Sequence, residues 1–507
     1  MRKSAAAWAF AGLLAGFAGL AAGFLAAELM NLRLDPVGAV AELVHGWLPS
    51  DVVSWARDVP GPSFTTPGIL LLGAVVFVVL GRLARRSRWL PVVGYVVLAA
   101  LGGLALLEAN GASRWWLLPV VVGFVVMTLA MLLVGERLRR LQALPDQDVY
   151  GPAWRARRRE VLLVAGVVTV AAGFAFVMAR VAGRDLREVE SERRTKVREV
   201  TAPDVPADAR LDVDGAAAWM TPIGSFYLVD TAVVRPVLRA QDWTVRIHGL
   251  VTTEIELTFA QLVDRGLHED WMTLACVQNE VGGDLVGNAW FSGVLLEPLL
   301  AAAGPLEGAD AVLQTAEDGW TCGTPLAAMT DGRGAMLAVA MNGEPLTVEH
   351  GYPVRTVVPG LYGYVSATKW VVDLEVTRFE DITPSPTDQG FAELGPTKTA
   401  SRIEVPQDGA TVPSGQVVVA GTAWAPGTGI EDVEVQVDGG PWASATLGGV
   451  PNVDTWVQWK LAVEVEPGEH TVLVRATDRA GRQQTSVATE VKPDGATGWH
   501  TVAFTST

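Results

Sequence analysis

Cysteine is nearly absent from this 507-residue chain: only Cys276 and Cys322 occur. Two thiols cannot build a disulfide framework or a cysteine-ligated zinc site, so a metal here must take most of its ligands from elsewhere. Histidine is almost as scarce, with six in all and only His45 before residue 200. A bis-histidine haem needs two imidazoles, so the first 200 residues do not hold one unaided. From residue 200 onward there is no Gly-x-Ser-x-Gly elbow, no His-Glu-x-x-His, no phosphate-binding loop and no Cys-x-x-Cys. Those gaps remove the common hydrolase, zinc-protease, nucleotide and dithiol chemistries. Positive charge runs short in one half only. To residue 199 there are 23 Lys and Arg against 15 Asp and Glu, and beyond it 16 against 40, giving net charges of +8 and −24. The acidic half does not suit nucleic acid or anionic lipid, whereas the basic half suits a membrane with an anionic inner face.

Apolar residues are plentiful, at 50% of the chain. Five runs, residues 5–29, 67–83, 89–107, 115–135 and 161–179, approach the ~20 residues needed to cross a bilayer as a helix. The first is too long for a simple signal peptide and lacks a clear cleavage site. Basic residues gather on the cytoplasmic side of membrane proteins. Arg2 and Lys3, then Arg82, Arg85, Arg86 and Arg88, then Arg137, Arg139, Arg140, Arg155, Arg157, Arg158 and Arg159 fall on alternate connections, while the others hold only Arg33, Arg57 and Arg114. Five spans with the N-terminus inside leave everything after residue 180 outside the cytoplasm, a multi-pass protein of the cell membrane with an extracytoplasmic acidic region. Arg158-Arg159-Glu160-Val161-Leu162-Leu163 has the spacing of a twin-arginine export signal placed internally, beside the plainer reading of a positive-inside anchor. Glu108 and Asn110, at the outer end of the third run, read as a solvated helix end.

Beyond a charged helical segment, residues 184–198, lies a Pro/Asp-rich linker at 201–209. Residues 243–249 and 370–377 alternate as strands, and 259–265 and 294–302 have helical spacing, so the region to about residue 396 reads as an α+β domain. From Ser401 onward strands are expected at 416–421, 431–438, 457–465, 470–476 and 485–491. The turns Asp438-Gly439-Gly440, Pro467-Gly468 and Arg479-Ala-Gly481 fall at the intervals of an all-β immunoglobulin-like sandwich with no helix. The chain thus divides into a five-helix membrane region (1–182), a linker (183–210), an α+β domain (211–397) and a β-sandwich (398–507).

Three features in the α+β region could carry chemistry: Thr273-Leu-Ala-Cys276-Val-Gln-Asn279-Glu280-Val-Gly-Gly-Asp284, His350-Gly-Tyr-Pro-Val-Arg355, and Gly363-Tyr-Val-Ser366-Ala-Thr-Lys369-Trp370. Taken alone, a cysteine at a strand end is a buried hydrophobe, a nucleophile or a soft-metal ligand. Arg355 and Lys369 alone read as surface salt-bridge partners, and His350 as a core imidazole. Other motifs follow in order: Phe226-Tyr-Leu-Val-Asp230-Thr231, residues 243–250, Gly287-Asn-Ala-Trp290, Ala340-Met-Asn-Gly-Glu344-Pro-Leu, Gly421-Thr-Ala-Trp424, Val437-Asp-Gly-Gly440, Arg475-Ala-Thr-Asp478 and Gly498-Trp499-His500. With these, the stretch from about residue 219 to 507 resembles the sulfite oxidase family of molybdopterin-dependent oxidoreductases, including its haem-free bacterial branches.

The resemblance implies one molybdenum–molybdopterin cofactor, with Cys276 supplying the protein's thiolate to the metal. It implies that Arg355, Lys369 and His350 hold the anionic end of the pterin, and that Tyr227, Asp230, Thr231, Asn279, Gly363 and Ser366 add hydroxyl and backbone contacts. A Cys276–Cys322 disulfide would consume the metal's thiolate, so Cys322 is expected free and near the pocket. Family members that oxidise sulfite place arginine after the asparagine of the cysteine loop and a tyrosine in a later strand; here Glu280 and Trp320 stand at those positions. A carboxylate for a cation would repel a small dianion by on the order of a few kcal/mol in a partly desolvated pocket. A neutral substrate such as a sulfoxide, free or in an oxidised protein, fits at least as well as sulfite. Three readings stand: a sulfite-oxidase-like enzyme of oxygen-atom transfer, a sulfoxide reductase, and a non-catalytic surface scaffold. The expected partners are a small-molecule or protein substrate carrying sulfur or oxygen, a separate electron carrier because no haem, flavin or iron–sulfur motif is found, the membrane, and a second copy of the chain, since the family's C-terminal sandwich commonly dimerises.

Overall fold

The computed structural model describes residues 5–32, 35–47, 65–108, 114–148, 150–196, 200–229, 232 and 234–507. They form two compact units, Met1–Glu188 with Ala232–Arg235, and Val189–Thr231 with Pro236–Thr507. The first unit is helical: Ala5–Leu29, Pro36–Trp47, Thr65–Ala84, Leu90–Glu108, Leu118–Gln142 and Pro152–Ala182. Trp8, Phe77, Leu80, Met127, Met131 and Leu138 belong to its core. Glycine lets the helices approach closely. A Cβ on Gly12 would lie 2.1 Å from the Phe77 carbonyl oxygen, and one on Gly81 2.2 Å from that of Trp8. Close backbone contact of this kind is how helices associate where lipid removes the hydrophobic drive between them. By length and composition four helical stretches among the described residues can cross a membrane, Ala5–Leu29, Leu90–Leu107, Arg114–Gln142 and Pro152–Arg193. The remaining expected span falls on Thr65–Ala84, whose apolar run Gly68–Ala84 is shorter. Asn110 lies outside the described residues, as does the side chain of Glu108.

The second unit begins within the helix Arg184–Lys196, which matches the charged helical segment expected at 184–198, and continues as irregular chain. The Pro/Asp-rich segment at 201–209 has no regular structure, yet it buries Ala209 completely, and the Asp208 carbonyl accepts a bond from Gly449 N–H at 2.8 Å. Ten strands follow: β1 (Thr244–Gly249), β2 (Ile255–Thr258), β3 (His268–Ala275), β4 (Val286–Leu295), β5 (Ala311–Ala316), β6 (Thr321–Pro325), β7 (Met336–Met341), β8 (Glu344–Pro345), β9 (Arg355–Val357) and β10 (Val371–Thr377). One sheet has the order β2-β1-β10-β5-β6; another has β3-β4-β7-β8, with β9 also paired to β7. The strands expected from alternation at 243–249 and 370–377 are β1 and β10, and they pair in parallel. In β1 Val245 and Ile247 are buried while Thr244 and Arg246 face solvent, the two-residue period of a half-buried strand. Helix Phe259–Val263 starts at a capping box in which Thr258 and Gln261 satisfy each other's backbone donors. The other expected helix begins two residues late, at Leu296, because β4 runs on to Leu295 in register with β7.

The remaining strands are β11 (Ala400–Val405), β12 (Thr411–Val412), β13 (Gly415–Trp424), β14 (Ile430–Val437), β15 (Ala443–Ser444), β16 (Thr446–Leu447), β17 (Val457–Val465), β18 (Gly468–Asp478) and β19 (His500–Ser506). They form two sheets, β11-β13-β17-β16 and β12-β19-β18-β14-β15. Val419, Trp459, Val433, Val474, Val502 and Phe504, drawn from both sheets, share one core. No helix occurs there among the described residues. The strand expected at 485–491 does not form. Residues 485–490 are exposed, so alternation has nothing to bury, and the stretch makes one isolated β-bridge, Thr489 to Thr497, beside a bond from the Thr497 hydroxyl to the Val487 carbonyl at 2.7 Å.

Three connections position the site. The β3–β4 connection carries Cys276, the β5–β6 turn carries Trp320, and the β9–β10 connection carries Gly363, Ser366 and Lys369. A cluster rich in tryptophan, including Trp219, Trp271, Trp424 and Trp456, packs behind the first of these and joins the α+β layers to the C-terminal sheets.

Candidate functional site

A cavity of about 140 Å³ opens between the three connections, lined among others by Tyr227, Cys276, Trp320, Arg355, Gly363 and Lys369. Cys276 sits where β3 ends. Its N–H donates to the Leu285 carbonyl at 2.9 Å, closing the base of the loop, and its sulfur accepts from Gln278 N–H at 3.4 Å. The thiol is only 8% exposed, and burial pushes its pKa up to about 11, opposed by that N–H and by the Lys369 ammonium. A thiol in this setting stays protonated at neutral pH unless a metal takes the proton's place. Among the described residues no group of three His, Cys, Asp or Glu could hold a metal, so one bound at Cys276 needs ligands brought by a cofactor. Cys322 is also free; it is fully buried in β6, bonds to Gln314 and Thr324, does not line the cavity, and its thiol is pushed up to about 12 by burial.

Arg355, the first residue of β9, is 4% exposed and has no carboxylate partner among the described residues. Its Nη1 and Nη2 reach the His350 and Ala367 carbonyls only at 3.4 Å, and Nε has no partner. Burial pulls its pKa down to about 10. Buried polar groups are nearly always paired, and a buried cation without its counter-ion is unfavourable. An anion arriving in the cavity would satisfy it, and a guanidinium fork matches phosphate geometry. Lys369 donates from Nζ to the Glu349 carbonyl at 3.1 Å and lies 5.3 Å from the Trp370 ring centroid. The Tyr227 phenol is pushed well above its ordinary pKa by burial and by Cys276, so it remains a neutral donor. The residues present therefore fit a ligand with a soft metal at one point and a phosphate at another.

The other sequence-derived candidates are placed differently. Asn279 shapes the loop: its side-chain oxygen accepts from Leu285 N–H at 2.8 Å. Ser366 is fully buried and donates to the Tyr362 carbonyl at 2.9 Å, which holds the β9–β10 connection. His350 is 1% exposed, with Nε2 3.2 Å from the Ile223 carbonyl and its ring edge-on to Phe226. Glu280 is exposed and does not line the cavity, so its charge is solvated, and the repulsion expected for a desolvated carboxylate is not exerted at this wall. Asp230 and Thr231 lie outside the described residues. Sequence reasoning missed Asp318, Tyr364, Gln389 and Phe391, which line the cavity together with Trp320. Tyr364 lay inside a motif already singled out; Phe391 follows Pro386 and Gln389 in a stretch with no pattern to mark it.

Residues 232–384 match the oxidoreductase molybdopterin binding domain family, and residues 394–506 the Mo-co oxidoreductase dimerisation domain family. Mitochondrial sulfite oxidase of Mus musculus is 30% identical over 295 residues, covering 48% of this chain and 54% of that protein. This chain thus spans about half the length of the mouse protein. Nitrate reductase [NADH] 1 of Phaseolus vulgaris is 29% identical over 314 residues, 49% of this chain and 35% of that protein. The structure of the sulfane dehydrogenase SoxCD from Paracoccus pantotrophus superposes with a TM-score of 0.47 at 24% identity, covering 53% of this chain and 75% of that one. Two adjoining domain matches, in the order and over the residues that frame the Cys276 cavity, make the conclusion plain: the chain belongs to the sulfite oxidase family of molybdopterin-dependent oxidoreductases.

Proposed function

We propose that the protein is a membrane-anchored, extracytoplasmic oxidoreductase performing oxygen-atom transfer at a molybdenum–molybdopterin cofactor. The observation that carries this reading is the pairing, in one cavity, of a buried free thiol with a buried guanidinium that has no carboxylate partner among the described residues. When bound, the cofactor supplies a two-electron centre able to exchange an oxygen atom with substrate. Cys276 gives the thiolate ligand, releasing its proton as the metal binds. Arg355 neutralises the terminal phosphate, with Lys369 and the Tyr227 hydroxyl as further donors. Asn279, His350, Gly363 and Ser366 fix the connections that bring these groups together, and Asp230 and Thr231 complete the contacts. Trp320 forms the substrate-side wall, with Glu280 outside it. Domain limits at 182, 210 and 397, five spans with the acidic part outside, an immunoglobulin-like C-terminal sandwich that pairs two copies, and a separate electron carrier replacing any internal haem, flavin or iron–sulfur cluster belong to the same reading.

A second reading, a sulfoxide reductase acting on free or protein-bound sulfoxides, is favoured by the far wall of the cavity. Trp320, Tyr364 and Phe391 are aromatic and Asp318 is acidic. Arg355 and Lys369 are the cations of the lining, and both are assigned to the cofactor. Such a wall suits an uncharged sulfur compound better than a dianion. The test is molybdenum content by mass spectrometry of the full-length protein and of Cys276→Ser, followed by turnover with sulfite and with a sulfoxide. About one metal per chain, lost or differently ligated in the variant, supports the reading. A folded wild type without metal, made in a host that synthesises the cofactor, overturns it and leaves the scaffold.

A further inference from the structure

The loop carrying Cys276 is held by two residues from the C-terminal sheets. Within the loop, Cys276 N–H bonds to the Leu285 carbonyl, Leu285 N–H to the Asn279 side chain, and Gly283 N–H to the Glu280 carbonyl. These ties fasten its base and middle. Its far corner, Gly282 and Gly283, is fastened from outside. Arg402 on β11 donates from Nη1 to the Gly283 carbonyl at 2.8 Å. The same guanidinium binds one oxygen of Glu404 through Nε at 3.0 Å and Nη2 at 2.5 Å. Glu404 accepts in addition from Ala217 N–H at 2.7 Å and from the Thr422 hydroxyl at 3.0 Å. The two side chains are 10% and 9% exposed. His500, the first residue of β19, accepts Ile403 N–H on Nδ1 at 2.9 Å. Its ring fills the space beside Gly282, where a Cβ would lie 2.2 Å from Nε2. Gly282 also has φ +79°, a conformation other residues resist.

We infer that Arg402 and His500 are positioning residues that fix the Cys276 loop so that its sulfur faces the cavity. The C-terminal sheets thereby take part in forming the metal-ligand loop. This inference rests on the reading of Cys276 as the metal's ligand. A buried ion pair is a poor device for stability alone, because apolar residues of similar volume do as well or better. Here every guanidinium nitrogen and both carboxylate oxygens of the pair have a partner, and Nη1 goes to the one loop whose geometry decides where the thiolate points. Loops with few internal ties open locally at little free-energy cost, and the loss of an outside tie is read at the residue it holds.

The experiment is iodoacetamide alkylation of the full-length, metal-free protein at about pH 8, followed by mass spectrometry with buried Cys322 as internal control. Arg402→Gln and His500→Ala should each speed alkylation of Cys276 by about tenfold, the scale of one charge-assisted hydrogen bond, with Cys322 unchanged. His500→Asn, which keeps an acceptor for Ile403 N–H, should return the rate toward wild type. In cofactor-loaded protein the first two variants should broaden the molybdenum–sulfur shell in X-ray absorption. Cys276 rates within about twofold of wild type in both variants would overturn the inference. If Arg402→Gln makes Cys322 reactive as well, the domain has unfolded, and His500→Ala, which leaves no buried charge unpaired, decides. If Cys276→Ser retains its metal, the ligand reading fails even where the alkylation effect stands.

Discussion

Replacing Arg355 by methionine is predicted to move stability and cofactor binding in opposite directions. Burial pulls the guanidinium pKa down to about 10, with no carboxylate cause, which corresponds to on the order of 3 kcal/mol held against the folded metal-free chain. The folded value lies below the ordinary one, so the penalty is complete at every pH below about 10, shrinks as pH rises above that and is gone beyond the unfolded value. At neutral pH all of it applies. The two carbonyl contacts at 3.4 Å return about 1 kcal/mol, and methionine fills a similar volume. The metal-free variant should therefore be more stable by about 2 kcal/mol, raising its unfolding midpoint by roughly 3–6 °C. Cofactor affinity should fall by about 10- to 100-fold, because a charge-assisted bond to phosphate is lost. Tryptophan-fluorescence melting of the metal-free chain, between about pH 6 and 9, measures the first effect. Molybdenum content of the loaded protein measures the second. A variant that melts lower and keeps its metal would refute both the charge argument and the assignment of Arg355 to an anion.

Further outcomes follow from the same geometry. In the metal-free chain, Cys276 alkylation should climb about tenfold per pH unit from neutrality to pH 10, since only the thiolate reacts and its pKa is pushed up to about 11; a plateau near pH 8 would show an ionised thiol. Trp320→Tyr should alter KM and kcat for sulfite and sulfoxide substrates unequally, whereas Glu280→Arg, a solvated position, should change kcat/KM by less than about fivefold; a large gain in sulfite turnover from Glu280→Arg would place that side chain at the substrate. Arg158→Lys with Arg159→Lys should leave the acidic region inside the cell if the pair is an export signal, as protease protection of spheroplasts would reveal; unchanged accessibility reduces the pair to a positive-inside anchor.

Much of the fold was legible because local pattern and burial coincide. The alternation at Val245 and Ile247, the capping box at Thr258 and the turn at Asp438-Gly439-Gly440 each mark an element edge that tertiary packing then keeps. The misses come where packing decides alone. β4 continues to Leu295 because β7 pairs with it, which no periodicity in 294–302 reveals. Residues 485–490 alternate acceptably but have no core to face. At the site, Cys276, Arg355 and Lys369 could be singled out as reactive types within short motifs. Their convergence on one cavity depends on three connections drawn from different sheets. Phe391 and Arg402 carry no motif and His500 ends one that assigned it no role; their positions near the site are a product of the domain packing around Trp424 and Trp456.

The lining divides the cavity's work by charge. At β9 and just before β10 stand Arg355 and Lys369, one without a carboxylate partner among the described residues and the other near the Cys276 thiol, so these residues attract an anion and favour a thiolate. Trp320, Asp318, Tyr364 and Phe391 also line the cavity, and outside the lining the Lys492 ammonium lies 5.0 Å from the Phe391 ring centroid and donates to the Gln389 carbonyl at 2.7 Å. If a pterin phosphate and a metal use the first group, a substrate meets only the second. These residues offer ring edges and faces, one carboxylate and the exposed Gln278 and Gln389 amides. A dianion transferred to them would exchange solvating water for a few neutral donors and a like charge, an unfavourable exchange. A neutral sulfoxide loses far less, and its apolar substituents gain about 25 cal/mol for each Å² they bury against the aromatic side chains. Under the proposed assignment of Arg355 and Lys369 to the cofactor, a cation introduced among these residues, for example by Gln389→Arg, is expected to move preference toward sulfite.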